Sequence, residues 1–296
     1  MGSKKPLTLV FRDGGEATFA SARKWSGVMN WLLSAPGSPY PVQFRDGVLS
    51  FNALGHRVHL RAFSPGDPGS FNDLFVRDNY HITALPQQLG TVVDLGANVG
   101  LFAVRIASRA ERVISIEPLP DNAELAKVNI AAAQTKTPIE VLQMAVSRRS
   151  GETLNLYVCD SPVSPGGIGA SLFEEHTGRW GETRHVPVQT ISLDDLFAQH
   201  GVAKCGLLKC DVEGAEYDAL LAASDATLAR IDRMLVECHL TRPEWKPAFE
   251  ELRARLSAAG FEVLHESLTK EDGEPATHVH LSCARAGIEP IKIGTL

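Results

Sequence analysis

From Gly90 onward the chain alternates short, continuous apolar runs with segments of helical length. This alternation narrows the possible folds more than any other feature. Residues 91–95, 112–116, 139–145, 205–210 and 233–238 read as strands. Val92-Val93, Val113-Ile114, Leu207-Leu208 and Met234-Leu235-Val236 are apolar throughout, not at every second position. Such strands are buried on both faces, as in a parallel sheet sandwiched between helices. Helices are expected over 99–109 and 121–133 and from Ala215, with a further one carrying Phe249, Leu252 and Leu256 on one face and stopping at Gly260. Asp121 and Glu124 have capping-box spacing. Strands 261–265 and 278–283 flank a turn-rich link and read as an antiparallel edge hairpin. The order predicts an open, Rossmann-like, doubly wound α/β sheet.

Composition bounds the partners. A chain of 296 residues buries ~70–75% of its unfolded surface and needs no disulfide. Its five cysteines, an odd number without a CxxC pair, read as buried reduced thiols of a cytoplasmic protein. The formal charge of −6 makes a poor non-specific binder of nucleic acid or anionic membrane. No apolar run approaches the ~20 residues that span a bilayer. The N-terminal Met-Gly-Ser-Lys-Lys-Pro lacks an apolar signal segment. A small-molecule partner is expected.

Two regions depart from the alternation. Residues 1–88 read as an accessory layer or lid, or as an oligomer contact, ahead of a main domain over 89–296. Hairpins are expected around Asp13-Gly14-Gly15 and Leu54-Gly55, a helix over 21–33, and a turn at Ser64-Pro65-Gly66-Asp67-Pro68-Gly69. Residues 151–190 form an insertion with strands over 153–158 and 185–190 around a turn-rich loop at 161–169. It follows the third strand, near the carboxyl ends where open sheets bind ligands, and is the first candidate for substrate contact. Phe173, His176, Arg179, Trp180 and Arg184 suit a polar or sugar-bearing ligand.

The most informative stretch is Val92-Val93-Asp94-Leu95-Gly96-Ala97-Asn98-Val99-Gly100. Gly96 and Gly100 sit at a strand-to-helix turn, where glycine permits positive φ and close ligand approach. Asn98 is a favourable N-cap. A dinucleotide loop would read GxGxxG and hold a pyrophosphate. Here the loop is GxxxG behind an acid, Asp94, which repels pyrophosphate and suits a cationic group. Glu117, ending the next strand, can accept hydrogen bonds from vicinal ribose hydroxyls. A nucleoside with ribose and an amino group but no phosphates fits, and S-adenosylmethionine (SAM) matches that description. Asp211 ends the fourth strand, with Glu213 and Glu216 in the helical turn that follows. Glu237 and His239 end the fifth, so these groups can converge on a transferred group.

With these residues the chain resembles the FkbM family of SAM-dependent methyltransferases, from about Tyr80 to His239. Asp94 to Gly100 look like the family's first motif, and Ile116-Glu117-Pro118 with Asn129 like its second. Residues 208–216 look like its most diagnostic one, with Cys210 where Ile is usual. Ala145-Val146-Ser147, Gly169-Ala170-Ser171-Leu172 and Val236-Glu237-Cys238-His239 match as well. The resemblance implies the class I methyltransferase fold, a seven-stranded sheet of order 3-2-1-4-5-7-6 with strand 7 antiparallel. It implies O-methylation of a hydroxyl on a sugar or specialised metabolite. By position, Gly96, Ala97 and Asn98 would face the SAM amino-acid moiety, Glu117 would hold the ribose, and Ala145 and Val146 would flank the adenine, with Pro118 and Tyr80 also near the cofactor. Asp211 or His239 is expected as the general base, with Glu213 beside them, and Asp211 alternatively orients SAM.

Other readings stay open. The acceptor can be nitrogen on a peptide or amine. No metal is required, although Asp211, Glu213, Glu237 and His239 offer ligands for Mg²⁺. A nicotinamide-dependent oxidoreductase would use a similar sheet but lacks its GxGxxG. A non-catalytic scaffold would be expected to have lost some of Asp94, Gly96, Gly100, Glu117 and Asp211.

Overall fold

The computed structural model describes residues 7–10, 16–19, 22–34, 42–64, 66–159, 169–270 and 276–288. The chain opens with a hairpin, β1 (Leu7–Val10) and β2 (Glu16–Phe19), followed by a helix over Ala22–Ser34. A three-stranded antiparallel sheet follows, β3 (Gln43–Arg45), β4 (Val48–Ala53) and β5 (His56–Arg61). Then come β6 (Thr91–Leu95), β7 (Arg112–Ile116), β8 (Ile139–Leu142), β9 (Ala145–Val146), β10 (Thr153–Cys159) and β11 (Thr183–Ile191). The chain continues through β12 (Leu207–Cys210), β13 (Arg233–His239), β14 (Phe261–Lys270) and β15 (Ala276–Arg285).

Seven strands form the main sheet, in the order β8-β7-β6-β12-β13-β15-β14. Numbered along the chain, that is 3-2-1-4-5-7-6. β15 runs antiparallel to both β13 and β14, while the other neighbouring pairs are parallel. The doubly wound sheet expected from the apolar runs is therefore present, edge hairpin included.

The continuous runs are apolar because each face of the sheet has its own cover. Val93, Ile114, Leu208 and Met234 point into a cluster with Phe197, Tyr217, Trp245, Phe249, Leu252 and Leu256. Val92, Val113, Leu207 and Leu235 point the other way, towards Phe102 and Ile106 and also Trp25, Phe51, Leu60 and Phe71. The N-terminal layer thus shares one apolar cluster with the sheet. All five cysteines are buried free thiols. No helix among the described residues is long and apolar enough to cross a membrane.

Three local expectations change. The turn at 64–69 contains the start of a helix, Gly66–Phe71, and Pro65 lies outside the described residues. Buried Asp67 organises it, accepting from the Arg61 guanidinium at 2.7 Å and the Ser64 hydroxyl at 2.9 Å. Arg61 also donates to Asn122 Oδ1 at 2.7 Å, tying the layer to the helix Pro120–Ala133. That helix starts with Pro120 behind Leu119, without a side-chain cap, and Glu124 pairs with Lys127 instead of closing a capping box. The strand expected over 139–145 splits after Leu142. Ala145 and Val146 leave the main sheet and pair in parallel with Thr190 and Ile191 of β11, which itself pairs with β10. The third strand thereby anchors the insertion. Its turn-rich loop falls mostly on 160–168, outside the described residues.

Leu208 is fully buried at the centre of the sheet. Leu208→Ala should cost ~2–5 kcal/mol by cavity formation, read as a lower midpoint in urea unfolding.

Candidate active site

The loop after β6 is shaped by contacts that exclude side chains. Gly96 has φ +82°, and a Cβ there would lie 1.8 Å from the Asp211 carbonyl oxygen. The backbone N–H groups of Gly96 and Ala97 both donate to the Ile116 carbonyl at 2.9 Å. Gly100 has φ +77°, would meet Ala126 at 3.0 Å, and precedes the helix Leu101–Ile106. Asn98 is not the N-cap that its residue type suggests. It sits in the left-handed region, and its amide reaches Ser70 Oγ of the N-terminal layer at 2.8 Å.

Glu117 ends β7 with both carboxylate oxygens engaged by backbone. Oε2 accepts from Asn98 N–H at 2.8 Å and Oε1 from Leu119 N–H at 2.9 Å. Each oxygen keeps a lone pair for a further donor. Burial pushes the carboxyl up to about 7, although both N–H groups favour the ionised form.

The other neighbour of β6 carries a residue that sequence reasoning passed over. Lys209 lies in the β12 run Leu207-Leu208-Lys209-Cys210 and is buried. Its ammonium donates to the Gly96 carbonyl at 2.6 Å and stands 3.4 Å from Asp94 Oδ1 and 3.6 Å from Asp211 Oδ2. Burial opposes its charge, but Asp94 and Asp211 outweigh that and hold its pKa above the usual value. A lysine inside an otherwise apolar, doubly buried run was the available clue, because such a charge needs partners. Asp94 is wholly buried behind the loop, paired with Lys209, and does not line the cavity described below.

Asp211 and Glu237 end neighbouring strands and share one phenol. Tyr80 Oη donates to Asp211 Oδ2 at 2.8 Å and lies 3.2 Å from Glu237 Oε2. Burial, reinforced by Asp211, raises Glu237 well above the usual carboxylate range. Two histidines of β15 join them. His278 and His280 place Nε2 at 3.5 and 3.6 Å from the Glu237 oxygens. Burial, with His239 and His280 adding to it, lowers His278 to about 4. Neither histidine was a candidate beforehand, because their convergence requires the antiparallel pairing of β13 with β15.

His239 has a different setting from the one expected. Its Nε2 meets Glu213 Oε2 at 3.1 Å, and its Nδ1 and backbone N–H meet Glu216 Oε1 at 3.2 and 2.7 Å. Burial opposes protonation, but the two carboxylates outweigh it and raise the imidazole well above its ordinary range. His239 therefore sits among carboxylates, with Glu213 on one ring nitrogen and Glu216 on the other. Glu213, at φ +53°, also accepts from His176 Nε2 of the insertion at 2.8 Å, and His176 reaches Thr241 on its other nitrogen.

These elements enclose a cavity of about 380 Å³, within the range of small-molecule sites. The loop 96–98, Glu117, Pro118, Ala145 and Val146 line one part. Tyr80, Lys209, Asp211, Glu213, Glu237, His278 and His280 line another. The insertion contributes Leu156, Gly169, Ala170 and Leu172, and the N-terminal layer contributes Ser70, Asp73 and Arg77. Of the expected site residues, Asp94, Gly100 and His239 are not on its surface.

The methyltransferase FkbM domain model matches residues 94–263, more than half of the chain. The chain belongs to the FkbM methyltransferase family. The FkbM domain spans the β6 loop, Glu117, Asp211 and His239, and this family of SAM-dependent methyltransferases replaces the nicotinamide alternative. Methyltransferase sdnD from Sordaria araneosa is 24% identical over 220 residues, covering 66% of this chain and 82% of its own. The 31-O-demethyl-FK506 methyltransferase FkbM from Streptomyces tacrolimicus is 26% identical over 216 residues, covering 66% and 80%. Among solved structures, M. jannaschii TYW2 in complex with AdoMet superposes with a TM-score of 0.43 at 13% identity, covering 83% of this chain and 90% of that one.

The Lys209–Asp94 pair generates a stability prediction. Lys209→Met should cost ~3–5 kcal/mol by leaving a buried carboxylate unpaired, and adding Asp94→Asn should restore most of the loss. Urea unfolding of the single and double variants measures both.

Proposed function

We propose that this chain is an O-methyltransferase acting on a hydroxyl of a small specialised metabolite or sugar, with SAM bound along the β6 loop. One observation carries the reading. The Asp211 carboxylate opens onto the same cavity as Glu117, so a base and a ribose-accepting acid face one space. The residues fit the cofactor. Gly96 keeps the loop free of a side chain, Glu117 retains lone pairs for two ribose hydroxyls, and Ala145 and Val146 offer an apolar wall for a base.

Bound SAM supplies a methyl group already activated on a sulfonium. The chain's own residues must align the acceptor oxygen and remove its proton. Asp211 takes that proton as its Oδ2 is steadied by the Tyr80 hydroxyl. Glu237, whose carboxyl burial raises well above its usual range, stands beside it on the same cavity wall. The name of the Streptomyces relative, a demethyl-FK506 O-methyltransferase, supports oxygen over nitrogen as the acceptor atom.

Two measurements test the reading. Asp211→Asn should lower turnover ~10²–10⁴-fold in a labelled-SAM assay against hydroxylated metabolites, with SAM affinity changed less than ~10-fold. Full turnover by this variant would remove Asp211 as the base. Because ribose donors favour ionised Glu117, and free Glu117 protonates below about 7, SAM affinity should weaken as pH falls through that value. Calorimetry across pH should show this slope in the wild type and not in Glu117→Gln.

A further inference from the structure

We propose that Glu237, His278 and His280 form a binding site for a first-row divalent transition-metal ion on the wall of the cavity. The ladder of β13 and β15 assembles it. Glu237 stands directly opposite His280, and His278 lies two residues along on the same face. All three line the cavity, and their ligand atoms lie within 4.8 Å of one another.

The spacing distinguishes a metal site from a hydrogen-bonded cluster. The imidazole nitrogens lie 3.5 and 3.6 Å from the Glu237 oxygens, too long for hydrogen bonds. Ligands held ~2.0–2.1 Å from a common ion stand ~3.0–3.4 Å apart, so a small side-chain adjustment brings these atoms to coordinating positions. The histidine contacts to Glu213 nearby are different. His176 and His239 meet Glu213 at 2.8 and 3.1 Å, which are hydrogen-bond distances, so that group is already satisfied internally.

Outer contacts and charge point the same way. His278 Nδ1 is 3.2 Å from the Thr277 hydroxyl, an outer partner that orients a ligating imidazole through its second nitrogen. Glu237 and Asp211 bring two acids to one phenol, while the neighbouring bases are already held, Lys209 against Asp94 and the Gly96 carbonyl and His239, 3.7 Å from Glu237, against Glu213 and Glu216. A divalent cation offsets that excess. Two imidazoles and one carboxylate suit ions such as Fe²⁺, Co²⁺ or Zn²⁺ over Mg²⁺ or Ca²⁺ and leave coordination positions open. Those positions face the cavity, where they would take an acceptor's hydroxyl or diol. That use rests on the methyltransferase reading, whereas ion binding itself does not.

The test uses the tag-free full chain, stripped with chelator and titrated with Co²⁺ and Zn²⁺. Wild type should bind one equivalent of each by calorimetry, and Co²⁺ should give visible d–d absorption. His278→Ala/His280→Ala should weaken Co²⁺ binding at least ~100-fold, as should the near-isosteric Glu237→Gln, with thermal unfolding confirming that each variant is folded. His185→Ala, on an exposed stretch of β11, should bind as wild type does. Absence of stoichiometric Co²⁺ and Zn²⁺ binding by wild type, or full binding by both folded variants, overturns the proposal. SAM titration of the metal-free protein separates the two readings. SAM binding without ion binding leaves the methyltransferase assignment standing alone, and ion binding without SAM binding does the reverse.

Discussion

A single buried ammonium organises the catalytic end of the sheet. Lys209 sits in the middle of a strand covered on both faces, where an isolated charge would cost several kcal/mol. Its partners come from three places: Asp94 on the adjacent strand, the Gly96 carbonyl in the loop, and Asp211 at the end of its own strand. Satisfying one cation therefore sets where the loop turns and where Asp211 points. The close approach of Gly96 to the Asp211 backbone follows from the same convergence, leaving no room for a side chain.

Around that centre, neighbours shift similar groups in opposite directions. Glu213 and Glu216 raise His239 well above its ordinary range, whereas burial, with His239 and His280 adding to it, lowers His278, its direct partner across the β13–β15 pairing, to about 4. Burial, with Asp211 adding to it, raises Glu237, while Glu213, close by, is driven below its usual range by His239 and His176 despite its burial. Two neighbouring acids are thus shifted in opposite directions, which a count of net charge cannot register.

The sheet was legible in the sequence because burial on both faces leaves a continuous apolar run, as in Val92-Val93 and Leu207-Leu208. The loop 96–100 and Glu117 were legible because glycine and a strand-end acid have few structural alternatives at such places. Other features depend on long-range pairing. His278 and His280 lie in an ordinary-looking edge strand until the register sets them beside Glu237. Asn98 looked like a cap, but the helix begins after Gly100 and its amide finds Ser70 instead. Gly66-Asp67-Pro68-Gly69 has the composition of a turn, yet the Asp67 contacts with Arg61 and Ser64 settle it into a helix.

Tyr80 precedes the first strand of the main sheet, yet its hydroxyl reaches the ends of two strands deep in that sheet. Ser70 and Asp73 stand on the same wall. The seam between the N-terminal layer and the sheet therefore runs through the reaction chamber and not around it. Grafting the matched region onto a different leader at residue 89 would exchange part of the chamber itself. In such a chimera the leader would set part of the cavity's wall and polarity and would not be a passive handle.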